Sequence, residues 1–215
     1  MDIVRNLDLK CVKDGPIRLP SDPVSIRETK ESITAMDFEP CGHHLAVATF
    51  DGHVHFYSPF TGRMSATLNN HQIHGTEERI TLTSVKWKPA WNGEERVSSS
   101  WVTAIASNGS IVKYNMSTGD HTKDLIVDKS QQKAGNHPTC CDYNRSGSKL
   151  VVGGQDRHLY VYNDDTMQLE TTISDRHFEM SGHQNRIFGI RCHPELDYLF
   201  SSAGWDGSVK LYDLR

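Results

Sequence analysis

The sequence predicts an all-β protein made of four repeated units. Three observations carry that prediction: four tight-turn signals in register, an alternating apolar run after each, and no helical periodicity over a convincing length. The turn pairs are Asp51-Gly52, Asn108-Gly109, Asp156-Arg157 and Asp206-Gly207, and six residues after the first member of each stands Tyr57, Tyr114, Tyr162 or Tyr212. An Asp-Gly or Asn-Gly pair between apolar alternating runs signals a hairpin, because both residues tolerate the positive φ of a type I′ turn. Copies at this spacing point to stacked supersecondary units that bury their faces against one another.

Each unit, starting at Ile33, Leu82, Pro138 or Arg186, holds an apolar run, a polar turn, a second apolar run, the tight turn and an alternating third run. The third runs, such as His53–Tyr57 and Ser208–Tyr212, have the period of two expected of a strand packed mainly on one face. A weaker outer strand is expected at Met64–Leu68, Thr122–Val127 and Leu169–Ile173. The organisation read from this is an amino-terminal segment, 1–32, then units at about 33–79, 80–137, 138–185 and 186–215.

A chain of 215 residues with 36% hydrophobic and 23% charged content can bury a substantial core. Its 27 acidic residues outnumber 23 basic ones, so it has no general attraction to phosphate backbones or anionic lipid. Direct nucleic-acid and membrane partners are therefore not expected. The start, MDIVRNLDLK, is charged throughout, unlike a secretory signal, and no apolar run approaches the ~20 residues that span a bilayer. Cys11, Cys41, Cys140, Cys141 and Cys192 lack C-x-x-C spacing. Reduced thiols in an intracellular protein, cytoplasmic or nuclear, are the expectation.

The last unit resembles the WD-repeat family of β-propellers, with Gly182-His183 ahead of the strands and Tyr212-Asp213 at their end. The first three units depart from the family pattern. They have no Gly-His at the matching place, they end Tyr57-Ser58, Tyr114-Asn115 and Tyr162-Asn163, and Tyr stands for the signature Trp in all four. The resemblance covers Ile33 to Arg215. It implies a buried structural network of His183, Asp206, Ser202 and Tyr212, in which the carboxylate is tolerated because it is paired. A His, a Ser and an Asp also suit a hydrolase, with Ser202 as nucleophile, His183 as base and Asp206 as orienting acid. Ser202 falls within a predicted strand with no G-x-S-x-G elbow to present it, which favours the structural network.

At ~40 to 45 residues per blade the chain holds four blades, whereas propellers of this family usually have seven. The resemblance implies a partial propeller, with Val24–Arg27 a candidate ring-closing strand. Two open blade faces would each expose ~500 Å² of apolar surface, on the order of 10 kcal/mol of unrealised burial. Three completions follow: further blades beyond this chain, a second copy or another protein, or an unusual small closed form.

The function implied is a non-catalytic scaffold that binds other proteins on the face carrying the tight turns. Phe50, Ser107, Gln155 and Trp205 precede the turn Asp or Asn and point into that face, and Phe50 and Trp205 are candidate aromatic anchors. Packing on the neighbouring blade is the competing role for each. Phe178 and Met180 are candidate contacts in the long loop 175–184, and the loops 69–79 and 128–137 are also longer than a blade requires. Trp91, in the insertion 90–100 on the opposite face, is expected to dock on the body. The clusters Cys41-x-His43-His44, His53-x-His55 and Cys192-His193 keep a metal-dependent or hydrolytic enzyme as the alternative class. The first lies in a turn and the others at polar repeat positions, so neither a metal nor a cofactor is expected. Gly153-Gly154 reads as strand, without the helix that a phosphate loop needs.

Overall fold

A computed structural model describes residues 31–69, 80–92, 95–97, 99–117, 137–174 and 182–215. Val24–Arg27, Thr122–Val127, Phe178 and Met180 lie outside the described residues, as does most of each long loop. Within them the chain contains strands and turns, with no helix.

The first sheet is the meander β1 (Ile33–Phe38), β2 (Leu45–Thr49), β3 (His53–Tyr57) and β4 (Met64–Asn69). The second joins β5 (Leu82–Trp87), β8 (Trp101–Ala106) and β9 (Ile111–Asn115), with the small hairpin β6 (Trp91–Asn92) and β7 (Glu95–Arg96) inserted between its first two strands. The third is β10 (Pro138–Tyr143), β11 (Lys149–Gly154), β12 (Leu159–Asn163) and β13 (Leu169–Ile173), and the fourth is β14 (Ile187–Cys192), β15 (Leu199–Gly204) and β16 (Val209–Asp213).

One irregularity recurs in every unit. The first strand slips register against the second after its opening residue, at Ile33/Ala35, Leu82/Ser84, Pro138/Cys140 and Ile187/Gly189. The residue at the slip is Thr34, Thr83, Thr139 or Phe188, and each threonine hydroxyl donates to a cross-strand carbonyl, Ala48, Ile105 or Gly153. The four units are thus copies of one bulged meander, since a bulge is a positioned feature rather than a defect.

The hairpin tips differ from the type I′ expectation. Only the second turn residue takes a positive φ: 91° at Gly52, 90° at Gly109, 71° at Arg157 and 73° at Gly207. The amide of the glycine donates to the carbonyl three residues back, at Thr49, Ala106 and Gly204. This is a type I turn closed by a left-handed residue. The first residue stays out of that region because its side chain is engaged locally. Asn108, Asp156 and Asp206 each accept from the amide two residues on, at 3.0, 3.1 and 3.1 Å.

No central core exists among the described residues; three apolar layers lie between consecutive blades. Ala46, Val54 and Phe56 of the first blade pack with Leu82, Val85 and Trp87 of the second. Ile105 and Ile111 meet Cys141 and Tyr143 at the next junction, and Leu159 and Val161 meet Ile187 and Ile190 at the third. Buried polar bonds run through the same seams. Glu39 accepts from the Ser99 amide of the second blade at 3.2 Å and meets His44 Nδ1 at 2.7 Å. At the second seam Asp164, wholly buried, takes Lys113 Nζ at 2.7 Å, Lys88 Nζ at 2.5 Å and the Tyr143 hydroxyl at 2.8 Å. The insertion is tied down as well, since Trp91 Nε1 donates to the Arg145 carbonyl at 2.6 Å and the Arg145 guanidinium sits 4.8 Å from the indole ring.

Candidate interaction face

The residue before each turn Asp or Asn is held by one repeated backbone bond. The amides of Phe50, Ser107, Gln155 and Trp205 donate to the carbonyls of Ser32, Thr81, His137 and Arg186, at 2.8 to 3.1 Å. These carbonyls precede the first strand of each unit, so the tip is anchored across its own sheet. Phe50 and Trp205 project into solvent, while Ser107 and Gln155 are half-buried.

Trp205 is 67% exposed and does not stand alone. Its ring centroid lies 4.7 Å from that of Phe188, tilted by 33°, and the Arg186 guanidinium sits 6.0 Å from the indole. Phe188 and Arg186 escape an inspection that considers only the turns. Their signal is in the register of the units: Phe188 holds the slip position that is threonine in the other three. A bulge residue whose hydroxyl would bond the neighbouring strand is replaced by a partly exposed aromatic ring.

Beneath this face His183 bridges two elements. Its Nδ1 lies 2.9 Å from Asp206 Oδ2 and its Nε2 lies 2.7 Å from Ser202 Oγ. Ser202 in turn bonds the Tyr212 phenol, whose pKa burial raises and Ser202 lowers in part. Asp206 also accepts from the Gln184 amide and from the hydroxyl of Ser208. Burial pushes the Asp206 carboxyl up, but the bonds from Ser208, Gln184 and His183 outweigh it and hold the group well below the usual carboxylate range. The arrangement has the connectivity of a hydrolytic triad, yet Ser202 is 2% exposed and its oxygen lies between the imidazole and the phenol.

Ligand-type atoms of Glu39, Cys41 and His43 lie within 4.8 Å of one another. The Glu39 oxygens are committed to His44 and Ser99, and Cys41 Sγ contacts His43 Nδ1 at 3.0 Å. His53 and His55 stack at 5.8 Å, but their Nδ1 atoms are turned to Asp51 and Thr67.

Bulged meanders of three or four strands stacked face to face through apolar layers define blades of a β-propeller. The comparisons with known proteins agree. The family described as "WD domain, G-beta repeat" matches residues 129–163 and 175–213, and the "Anaphase-promoting complex subunit 4 WD40 domain" family matches 23–90. The chain belongs to the WD-repeat family, and its described residues form four β-propeller blades.

Among curated relatives, the chain is 23% identical over 117 residues to human "DDB1- and CUL4-associated factor 5", covering 54% of this chain and 11% of that protein. It is 33% identical over 66 residues to "Ribosome biogenesis protein YTM1" of Debaryomyces hansenii, covering 31% and 14%. It is 21% identical over 201 residues to "Eukaryotic translation initiation factor 3 subunit I" of Candida albicans, covering 89% and 53%. The chain therefore spans about a tenth to a half of these proteins. Among solved structures, the β-propeller domain of Cps50 (Swd1) from Myceliophteria thermophila superimposes with a TM-score of 0.63 at 14% identity, over 84% of this chain and 51% of that one. The computationally designed Ika4 protein gives 0.61 at 18% identity, over 91% and 99%. Among the described residues no helix is long and apolar enough to cross a membrane.

Proposed function

We propose that the chain is a non-catalytic scaffold inside the cell that captures other proteins on its turn face, centred on Trp205 and Phe188. The observation that carries this reading is the pair of partly exposed aromatic rings at 4.7 Å with a guanidinium beside them, fixed on bulged hairpins. Tryptophan, arginine and phenylalanine are enriched at interface cores, and a rigid scaffold spares the entropy of ordering them. Phe50 extends the face one end further, with Ser107 and Gln155 between. Names such as "associated factor" and "subunit" describe relatives that act with other proteins, and ribosome biogenesis and translation initiation are intracellular processes.

The His183–Asp206–Ser202 set is the strut of its hairpin in this reading, in keeping with the burial of Ser202. Affinity capture followed by mass spectrometry tests the proposal with wild type, Trp205→Ala and Phe188→Thr. Interactors lost in both variants, at unchanged melting temperature, support it. Parallel loss of folding and capture would assign the rings to packing instead. Stoichiometric zinc that survives dialysis, carried by the Glu39, Cys41 and His43 group, would overturn the purely scaffolding role.

A further inference from the structure

Among the described residues, the second blade alone carries an insertion between its first two strands, the hairpin of β6 and β7. The insertion sets Trp91 against Arg145, in the turn between β10 and β11 of the third blade, through an Nε1 bond to the Arg145 carbonyl at 2.6 Å. The guanidinium lies 4.8 Å from the indole ring, and its Nη1 donates to the Glu195 carbonyl of the fourth blade at 3.4 Å. Among the described residues Arg145 makes no ion pair, so a cation is fixed between three blades without a carboxylate of its own. A guanidinium stacked on an aromatic face keeps its N–H edge for a planar acceptor, and a carboxylate fits that edge in bidentate fashion.

Arg145 and Trp91 form one wall of a cavity of about 260 Å³ on the face opposite the tight turns. The carboxylates that line it are already engaged. Asp37 accepts from Lys86 Nζ at 2.8 Å and from the Trp87 amide at 2.9 Å, and Asp142 accepts from the Cys192 amide at 2.9 Å. His193 adds a donor: its Nδ1 accepts the amides of Glu195 and Leu196 at 3.1 and 3.0 Å, so the ring carries its hydrogen on Nε2. Pro89 and Pro194 supply apolar wall. The volume falls below the range usual for small-molecule sites, yet it has room for a side chain. On the other side of Trp91 and Arg145 a second recess is lined by Glu195 and Asp197, which disfavours a nucleic acid or a run of acidic residues. Trp91, Arg145 and His193 stand in connections that follow the first strands of three successive blades, so the cavity is built between blades and not on the outward face of either end blade.

We propose that this cavity is a second protein-binding site, distinct from the turn face, that takes one acidic side chain of an extended partner segment. The carboxylate pairs with Arg145 and accepts from His193 Nε2, and apolar neighbours in the partner lie on Pro89, Pro194 and the edge of Trp91. The insertion in the second blade serves to hold the arginine ready for that carboxylate. The inference does not depend on the reading of the turn face.

Selection of random peptides displayed on phage, against the immobilised full chain, tests it. The enriched sequences should share one acidic residue between apolar ones, and a fluorescent copy of the strongest should bind with an affinity that falls as salt rises. Changing its acidic residue to the amide, or Arg145→Gln in the protein, should weaken binding about tenfold or more. The Trp91 bond goes to the backbone carbonyl of residue 145, so Arg145→Gln should keep the hairpin docked, as an unchanged melting temperature checks. The amide peptide reads the same contact with the wild-type protein, whatever the variant does to folding. Enrichment of nothing, or of sequences without an acidic residue, would overturn the proposal. So would binding that ignores both changes, or that depends on Trp205 in place of Arg145. Equal competition by free glutamate would assign the cavity to a small carboxylate and overturn it as well.

Discussion

A β-carbon built on Gly204 would stand 2.7 Å from His183 Nδ1 and 3.1 Å from Asp206 Oδ1. The glycine is what lets the imidazole lie flat against the end of β15 and face the hairpin carboxylate. In Gly204→Ala either the backbone or the imidazole moves, and His183 is buried with no room to retreat. We expect a loss of about 2 to 4 kcal/mol, combining overpacking with a broken charge-assisted bond. Chemical denaturation checks this, and a loss below that range would show that the network tolerates displacement.

The same carboxylate gives the fold an acid limit. The folded pKa of Asp206 is lowered from its ordinary value near 3.8, so its stabilisation is complete above that value and erodes as pH falls through the lower folded one. Asp164 and Asp51 are shifted in the same direction, burial opposing and hydrogen bonds prevailing in each. Melting temperature should therefore be level near neutrality and fall below about pH 4. Asp206→Asn should start lower and lose less on acidification. Parallel profiles for the two proteins would dissociate Asp206 from the acid transition.

Arg157 occupies the left-handed position that glycine fills in the other three hairpins, at φ 71°. An L-residue there costs roughly 1 to 2 kcal/mol. Arg157→Gly is expected to stabilise the chain by about 1 kcal/mol, the entropy of glycine in the unfolded state offsetting part of the relief. Gly207→Ala isolates the dihedral effect, because a β-carbon there would meet open space. It should destabilise by a similar amount. Thermal melts of the two variants should move in opposite directions.

The repeat was legible because it rests on local chemistry. An Asp or Asn that caps its own turn, followed by a residue at positive φ, is written in neighbouring positions, and so is the alternation after it. The His183 set is reached by another route, as what the family resemblance carried by Gly182-His183 and Tyr212-Asp213 implies, and not by local chemistry. The turn type was not legible, because Asp-Gly suits either geometry and the choice follows from the side-chain bond the Asp makes. Phe188 was hidden by the slip in β14, which changes the face a residue takes without changing the apolar pattern. The seam around Asp164 was also illegible, since Lys88, Lys113 and Tyr143 come from three separate strands and loops.

That seam separates two substitutions that look alike in sequence. Lys113 fills the position held by Phe56, Val161 and Leu211 in the other blades, and burial lowers its pKa although Asp164 opposes the shift. Replacing it with methionine removes an ammonium that is costly to bury, while Asp164 keeps Lys88 and the Tyr143 hydroxyl. Lys113→Met should therefore lie within about 1 kcal/mol of wild type or exceed it, as is common when a buried ion gives way to an apolar side chain. Asp164→Ala does the reverse. It removes the carboxylate opposite the Lys113 ammonium, which keeps neutral contacts such as the residue-164 carbonyl at 3.0 Å, and leaves the Tyr143 hydroxyl with Thr103, 2.6 Å away, as its remaining partner in this network. A loss of about 3 to 5 kcal/mol is expected, and Lys113→Met added to Asp164→Ala should restore a large part of it. A double-mutant cycle by urea denaturation measures the coupling. Additive losses would mean that the carboxylate acts through Lys88 and Tyr143 alone, with the Lys113 ammonium stabilised by the face of Trp101, whose ring centroid lies 5.3 Å from Nζ.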